Sequence, residues 1–155
     1  MREKKEKGKE SFTSIRLRGP GVEFPPAPDR KGGKSLRPES RALGQVLLDQ
    51  HHRATIEHPP GKNLVIKHYI LPYNVLCDRA NASYLTRIVG AFLGDIADWC
   101  AAEGWPPLNA LAVNAETGIS GEGYDTAGGG LCNIVNWPTE VERCIRFKNY
   151  PSRMP

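Results

Sequence analysis

A chain of 155 residues suits one domain, and no apolar run in it reaches the ~18–20 residues that a membrane span requires. The formal charge of +4 is unevenly spread: residues 1–37 hold eleven Lys/Arg against five Asp/Glu, whereas the remainder holds ten against twelve. With no apolar signal core behind the basic start, these features point to a cytoplasmic protein whose positive charge sits in an arm ahead of a slightly acidic domain.

Residues 1–37 combine that charge with Pro20, Pro25, Pro26, Pro28 and the Gly32-Gly33 pair, and have few large apolar side chains. Such a segment cannot offset its own ordering entropy and is expected to be a disordered basic tail. Residues 38–150 are expected to form the domain.

The first element is a helix over Glu39–Ala54, with Leu43, Val46 and Leu47 at helical spacing and Pro38 tolerated in its first turn. His58-Pro-Pro-Gly61 breaks the chain. Residues 63–70 (NLVIKHYI) then alternate Leu64, Ile66, His68 and Ile70, as a half-buried strand does. Pro72 opens a short helix to about Arg79, which Asn81 and Ser83 end with turn and capping chemistry.

The strongest periodicity follows. Leu85, Ile88, Val89, Phe92, Leu93, Ile96, Ala97 and Cys100 form one apolar stripe, from a Ser83 cap to a stop at Gly104 before Pro106-Pro107. Leu108–Asn114 alternates again, and Glu116-Thr-Gly118 supplies turn residues before Gly121-Glu-Gly-Tyr124, the pattern of a strand–turn–strand wing. After Gly128-Gly-Gly130, Trp137-Pro-Thr139 starts a last helix carrying Val141, Cys144 and Ile145. The expected fold class is α/β (α+β): a winged helix-turn-helix with about four helices and a small β-hairpin.

In that arrangement the long helix enters the major groove of double-stranded DNA. Its outer face runs from Thr86, Arg87, Gly90 and Ala91 to Gly94, Asp95 and Asp98. The start is thus small and basic where the helix dipole is positive, and the end is acidic. Gly90 and Gly94 serve equally well to admit a neighbouring helix. Ser83 and Tyr84 flank this edge, and Asn109 and Asn114, on the wing strand and its exit, carry amides able to contact base edges.

Tyr73-Asn-Val-Leu-Cys77, Arg87-Ile-Val-Gly90-Ala-Phe-Leu93, the Pro107-led strand and Gly121-Glu-Gly-Tyr124 resemble the C-terminal winged-helix domain of alkylguanine-DNA alkyltransferases and their non-catalytic alkyltransferase-like relatives. The resemblance implies that Tyr73 sits by the DNA backbone, Arg87 intrudes into the base stack and Tyr124 lies on the wing. Where that family has Pro-Cys-His-Arg, this chain has Pro107-Leu-Asn-Ala110, so alkyl transfer at that position is excluded and a DNA-binding domain without chemistry is expected. The chain also resembles a bacterial family with a Pro-Pro-Leu-x-x-Leu-x-Val-Asn…Thr-Gly…Gly-x-Gly-Tyr run, which implies no function.

Other constellations point elsewhere less strongly. Cys77, Cys100, Cys132 and Cys144 form no C-x-x-C pair, and adjacent His51 and His52 lack a ligand at i+4, so neither metal nor cofactor is expected. A protein-interaction or regulatory module is the first alternative, given the acidic balance of the folded part. A small nuclease around Gly121–Asp125, or a cysteine enzyme at Cys132 with His58 or His68, is the second. Trp99, beside the apolar stripe, and Trp105 and Trp137, which flank prolines at element ends, are expected to pack rather than stack on bases.

Overall fold

The computed structural model describes residues 36–155, and within them the chain is mostly helical, with a two-strand parallel sheet. Four α-helices occur among the described residues: α1 (Pro38–Glu57), α2 (Tyr73–Arg79), α3 (Val89–Glu103) and α4 (Trp137–Arg146). The strands are β1 (Leu71–Pro72) and β2 (Ala112–Val113). The tail expected over residues 1–37 lies outside the described residues except for Leu36 and Arg37. Both are engaged in the fold: Leu36 is buried, and Arg37 donates from Nε to Asp95 Oδ2 at 2.7 Å and lies 4.3 Å from the Phe92 ring centroid.

Helix α1 begins where Pro38 was placed and buries Leu43, Leu47, Leu48 and Ala54 along one side. Its opposite flank holds the C-terminal segment: Gln45 Nε2 donates to Ser152 O (2.9 Å) and Met154 N to Gln45 Oε1 (2.9 Å). Helix α3 ends at Gly104, whose φ of +77° is the left-handed stop expected there, and Trp105 N closes back on Cys100 O at 2.9 Å.

Three expectations are corrected. Residues 63–70 are not a strand, because a 3₁₀ turn at Ile66–His68 breaks the alternation and buries Tyr69 with Leu64 and Ile66; only Leu71–Pro72 pairs. The long helix does not run from Ser83. Ser83–Ile88 is 3₁₀, and Ile88 (φ −118°, ψ 16°) separates it from α3, which turns Ile88 out of the stripe to 56% exposure. The Ser83 hydroxyl donates to Asp78 Oδ1 (3.1 Å) instead of capping that turn.

The wing hairpin is absent as well. Leu108–Leu111 is a 3₁₀ turn buried on every side, so its alternation carried no facing information. β2 pairs in parallel with β1, Leu71 opposite Ala112 and Pro72 opposite Val113. The turn at Glu116-Thr-Gly118 does form, with Asn114 N donating to Ile119 O at 2.7 Å. No ladder follows it, because the Ser120 hydroxyl takes the Ala112 carbonyl (3.1 Å) and residues 122–129 coil as 3₁₀ turns against α3.

That coil reaches α3 through Gly128, which has a φ of +61° and where a Cβ would stand 3.3 Å from Ala97 Cβ. Gly128→Ala adds backbone strain to crowding and is expected to destabilise the domain by about 1–3 kcal/mol, read as a lower urea midpoint. Gly90 and Gly94 have open space where a Cβ would be, so neither is required to admit another helix.

Candidate functional site

A cleft of about 340 Å³ opens between the start of α3 and the segment 121–127, with α2 and the turn before β2 closing its floor. Tyr73, Thr86, Arg87, Gly90, Asn109, Asn114 and Tyr124, seven of the nine residues singled out in the sequence, line it. Ser83 and Tyr84 do not. Ser83 is spent on Asp78, and Tyr84 projects from the 3₁₀ turn at 75% exposure.

Each wall has a local cause. Pro72 fixes the entry into α2, so the half-buried Tyr73 points across to residue 121, where its hydroxyl accepts from Gly121 N at 2.6 Å. Burial raises the Tyr73 phenol above its ordinary value, against the pull of that backbone bond. A Cβ on Gly121 would meet the Tyr73 hydroxyl at 3.1 Å, so glycine keeps this approach open.

On the opposite wall, Thr86 Oγ1 donates to Ser83 O (2.8 Å) and braces the 3₁₀ turn. Arg87 and Gly90 follow it and are exposed, and among the described residues no hydrogen bond or ion pair engages the Arg87 guanidinium. Further along α3, Asp95 is neutralised by Arg37 and accepts from Ser40 Oγ at 2.7 Å. The helix edge therefore keeps its cation at the open end and has its first acid compensated.

The floor is polar. Asn109 is 2% exposed; its Nδ2 makes a 3.8 Å contact to Cys132 Sγ, and its Oδ1 is buried with no partner. An unpaired buried amide oxygen costs roughly 1–3 kcal/mol. Asn114 is committed to the turn, accepting from Glu116 N at 2.8 Å.

Tyr124 is not on a projecting wing but is 5% exposed against the cleft, with its hydroxyl donating to Glu140 Oε1. Burial pushes the Glu140 carboxyl up to about 8, although the Asn133 backbone bond and Arg143 act to lower it. A neutral carboxylic acid behind the cleft wall at pH 7 was not anticipated. Its signal was positional, since Glu140 falls within the helical stripe Trp137, Val141, Cys144, Ile145.

The alternative sites fare differently. Cys132 is 3% exposed and rests against Asn109, while His58 and His68 stack on each other in another hollow. All four cysteines are buried and none is in a disulfide among the described residues, and burial raises Cys100 to about 12. Asp125 Oδ1 accepts from Ile134 N. His51 is buried with Nε2 on Cys144 O at 2.7 Å, and among the described residues no group of three His, Cys, Asp or Glu is placed to hold a metal ion. The tryptophans pack: Trp137 is 1% exposed, and Trp99 meets Trp105 edge to face at 5.2 Å. No described helix is long and apolar enough to cross a membrane.

Comparison with protein-family models, with curated proteins and with solved structures returns no match.

Proposed function

We propose that this chain is a non-catalytic DNA-binding domain of alkyltransferase-like character, with a turn in place of the wing of a winged helix, working in the cytoplasm without a cofactor. The open edge of α3 meets the duplex, and the cleft beside it receives a displaced nucleotide. In this reading the Asn114–Ile119 turn stands where a wing would, Arg87 enters the base stack, and Tyr73 and Tyr124 flank the nucleotide.

One observation supports it above all: residues from four separated stretches, chosen for their likeness to a DNA-binding site, line a single cleft beside an uncovered cationic helix end. The cleft is within the roughly 300–1,000 Å³ of ligand sites, and Asn109 is among the polar residues that line it. Exposed Tyr84 and Ile88 give the same edge apolar surface suited to unstacked bases. Because the folded part carries two more acids than bases, phosphate contacts fall to Arg87 and to the basic N-terminal arm.

Fluorescence titration of a labelled duplex, repeated over a salt series, tests this. Binding is expected at low salt with a steep salt slope that flattens when residues 1–34 are deleted. Arg87→Ala is expected to weaken binding by about 1–3 kcal/mol. No duplex affinity at low salt overturns the proposal, and an unchanged affinity in Arg87→Ala removes Arg87 from it.

A further inference from the structure

A second hollow, of about 450 Å³, lies at the far end of α1, bounded by the 3₁₀ turn 66–68, β1 and the end of α2. Gln50 is its hub. Gln50 Nε2 donates to His68 O at 2.7 Å, which aims Oε1 outward, and that one oxygen accepts from both Arg53 Nη2 (2.6 Å) and Arg79 Nη1 (3.0 Å). Two guanidinium groups from different helices thus converge on a neutral amide with no carboxylate between them.

Lys67 lines the same hollow, and His58 and His68 close it with rings stacked 3.5 Å apart at 2°. The negative charge available is small: Glu57 is the one acid on the lining, and the C-terminus of α1 adds about half a unit. Three fixed cations exceed that, so the hollow holds an uncompensated positive field before either imidazole is charged.

We propose that this hollow is an oxyanion site that takes a phosphate group between Arg53 and Arg79, with Lys67 and the His58–His68 pair as further donors. Guanidinium forks match a tetrahedral oxyanion, and an entering phosphate supplies the charge that the Gln50 amide lacks. The site is separate from the first cleft and does not depend on the function proposed for it.

The histidines make the site responsive to pH. Face-to-face imidazoliums repel each other. Desolvation, then the neighbouring His58 and Lys67, hold His68 below its ordinary value, with Glu57 opposing. A bound dianion offsets that repulsion, and affinity therefore rises as protons are added.

Sulfate is the direct probe, because it stays doubly charged across the range and leaves the protein as the source of any pH effect. The full chain is titrated at constant ionic strength, with backbone amide and histidine ring NMR signals as the readout. Saturable one-site binding is expected, about fivefold or more tighter near pH 5.5 than near pH 8. Arg53→Gln and Arg79→Gln, both at exposed positions, are each expected to weaken it about tenfold.

Inorganic phosphate and a short duplex then separate the sources. If Arg79→Gln also lowers the salt slope of duplex binding by about one, the phosphate comes from the DNA backbone. If that slope is unchanged while phosphate binding is lost, the ligand is a small phosphorylated molecule. Absence of saturable sulfate binding at both pH values, or binding indifferent to both substitutions, overturns the site; equal affinity at the two pH values overturns the role of the histidine pair.

Discussion

Glu140→Gln is expected to make the protein more stable at pH 8 by about 2–4 kcal/mol while leaving its stability near pH 4.5 almost unchanged. The folded carboxyl is held at about 8, from an ordinary value of 4.5, chiefly by burial. The sign follows from that upward displacement: below 4.5 both states are protonated and nothing is lost. As pH rises to about 8 the unfolded chain sheds a proton that the folded chain keeps, and stability falls. A gap of that width corresponds to a ceiling of about 4–5 kcal/mol, and relaxation of the site reduces it. Glutamine imitates the protonated acid, since its carbonyl still accepts from the Tyr124 hydroxyl, and it cannot ionise. Above about pH 6.5, and up to about 8, urea midpoints should slope downward for the native chain and run flat for the variant. Coincident profiles would show that the carboxyl is not kept neutral.

His51 shapes the acid side of both profiles. Burial lowers its imidazole from 6.5, with the Cys144 carbonyl opposing, so the folded state resists a proton that the unfolded chain accepts. Stability is therefore lost as pH falls below about 6.5 in either protein. Above about pH 6.5 the slope reports on Glu140 without His51, and below it the difference between the two profiles removes the His51 contribution common to both.

What the sequence discloses depends on whether a segment faces one environment or several. α3 and α4 are legible because one stripe of each meets the core and the rest meets water, which leaves a 3.6-residue period in the residues themselves. Leu108–Leu111 is buried all round, so its apparent alternation was accidental, and the expected strand became a 3₁₀ turn. The segment 63–70 misled for the opposite reason. Its alternation was real as far as Ile66, and the turn that follows was set by tertiary partners, Gln50 on His68 O and Tyr69 on His58 O, which leave no local trace.

The cleft was legible as a set of residue types but not as an arrangement. Tyr73, Arg87 and Tyr124 were identified through the resemblance of their motifs to a DNA-binding family, and Asn109 as an amide on the expected wing strand. The parallel pairing of β1 with β2, which brings the start of α2 beside the chain that leads to residue 121, has no signature at two residues per strand. The second hollow was beyond reach for the same reason, since Arg53 and Arg79 are unremarkable until Gln50 joins them.

The largest loss of stability is expected from Trp137→Ala, about 3–5 kcal/mol, a substantial share of the roughly 5–15 kcal/mol that holds such a domain together. Trp137 is 1% exposed, opens α4, and donates from Nε1 to Ala110 O at 2.9 Å. Its removal leaves a cavity and an unpaired carbonyl in the turn that carries Asn109. Trp137→Phe separates the two contributions, because it keeps most of the ring and loses the donor, and should cost about 1–3 kcal/mol. If the indole does no more than fill space, phenylalanine will cost about 1 kcal/mol for the smaller cavity and leave protection at Ala110 and Leu111 tied to global unfolding. If the bond to Ala110 O is what holds the Leu108–Leu111 turn against α4, the phenylalanine variant will also lose hydrogen-exchange protection at Ala110 and Leu111 ahead of global unfolding.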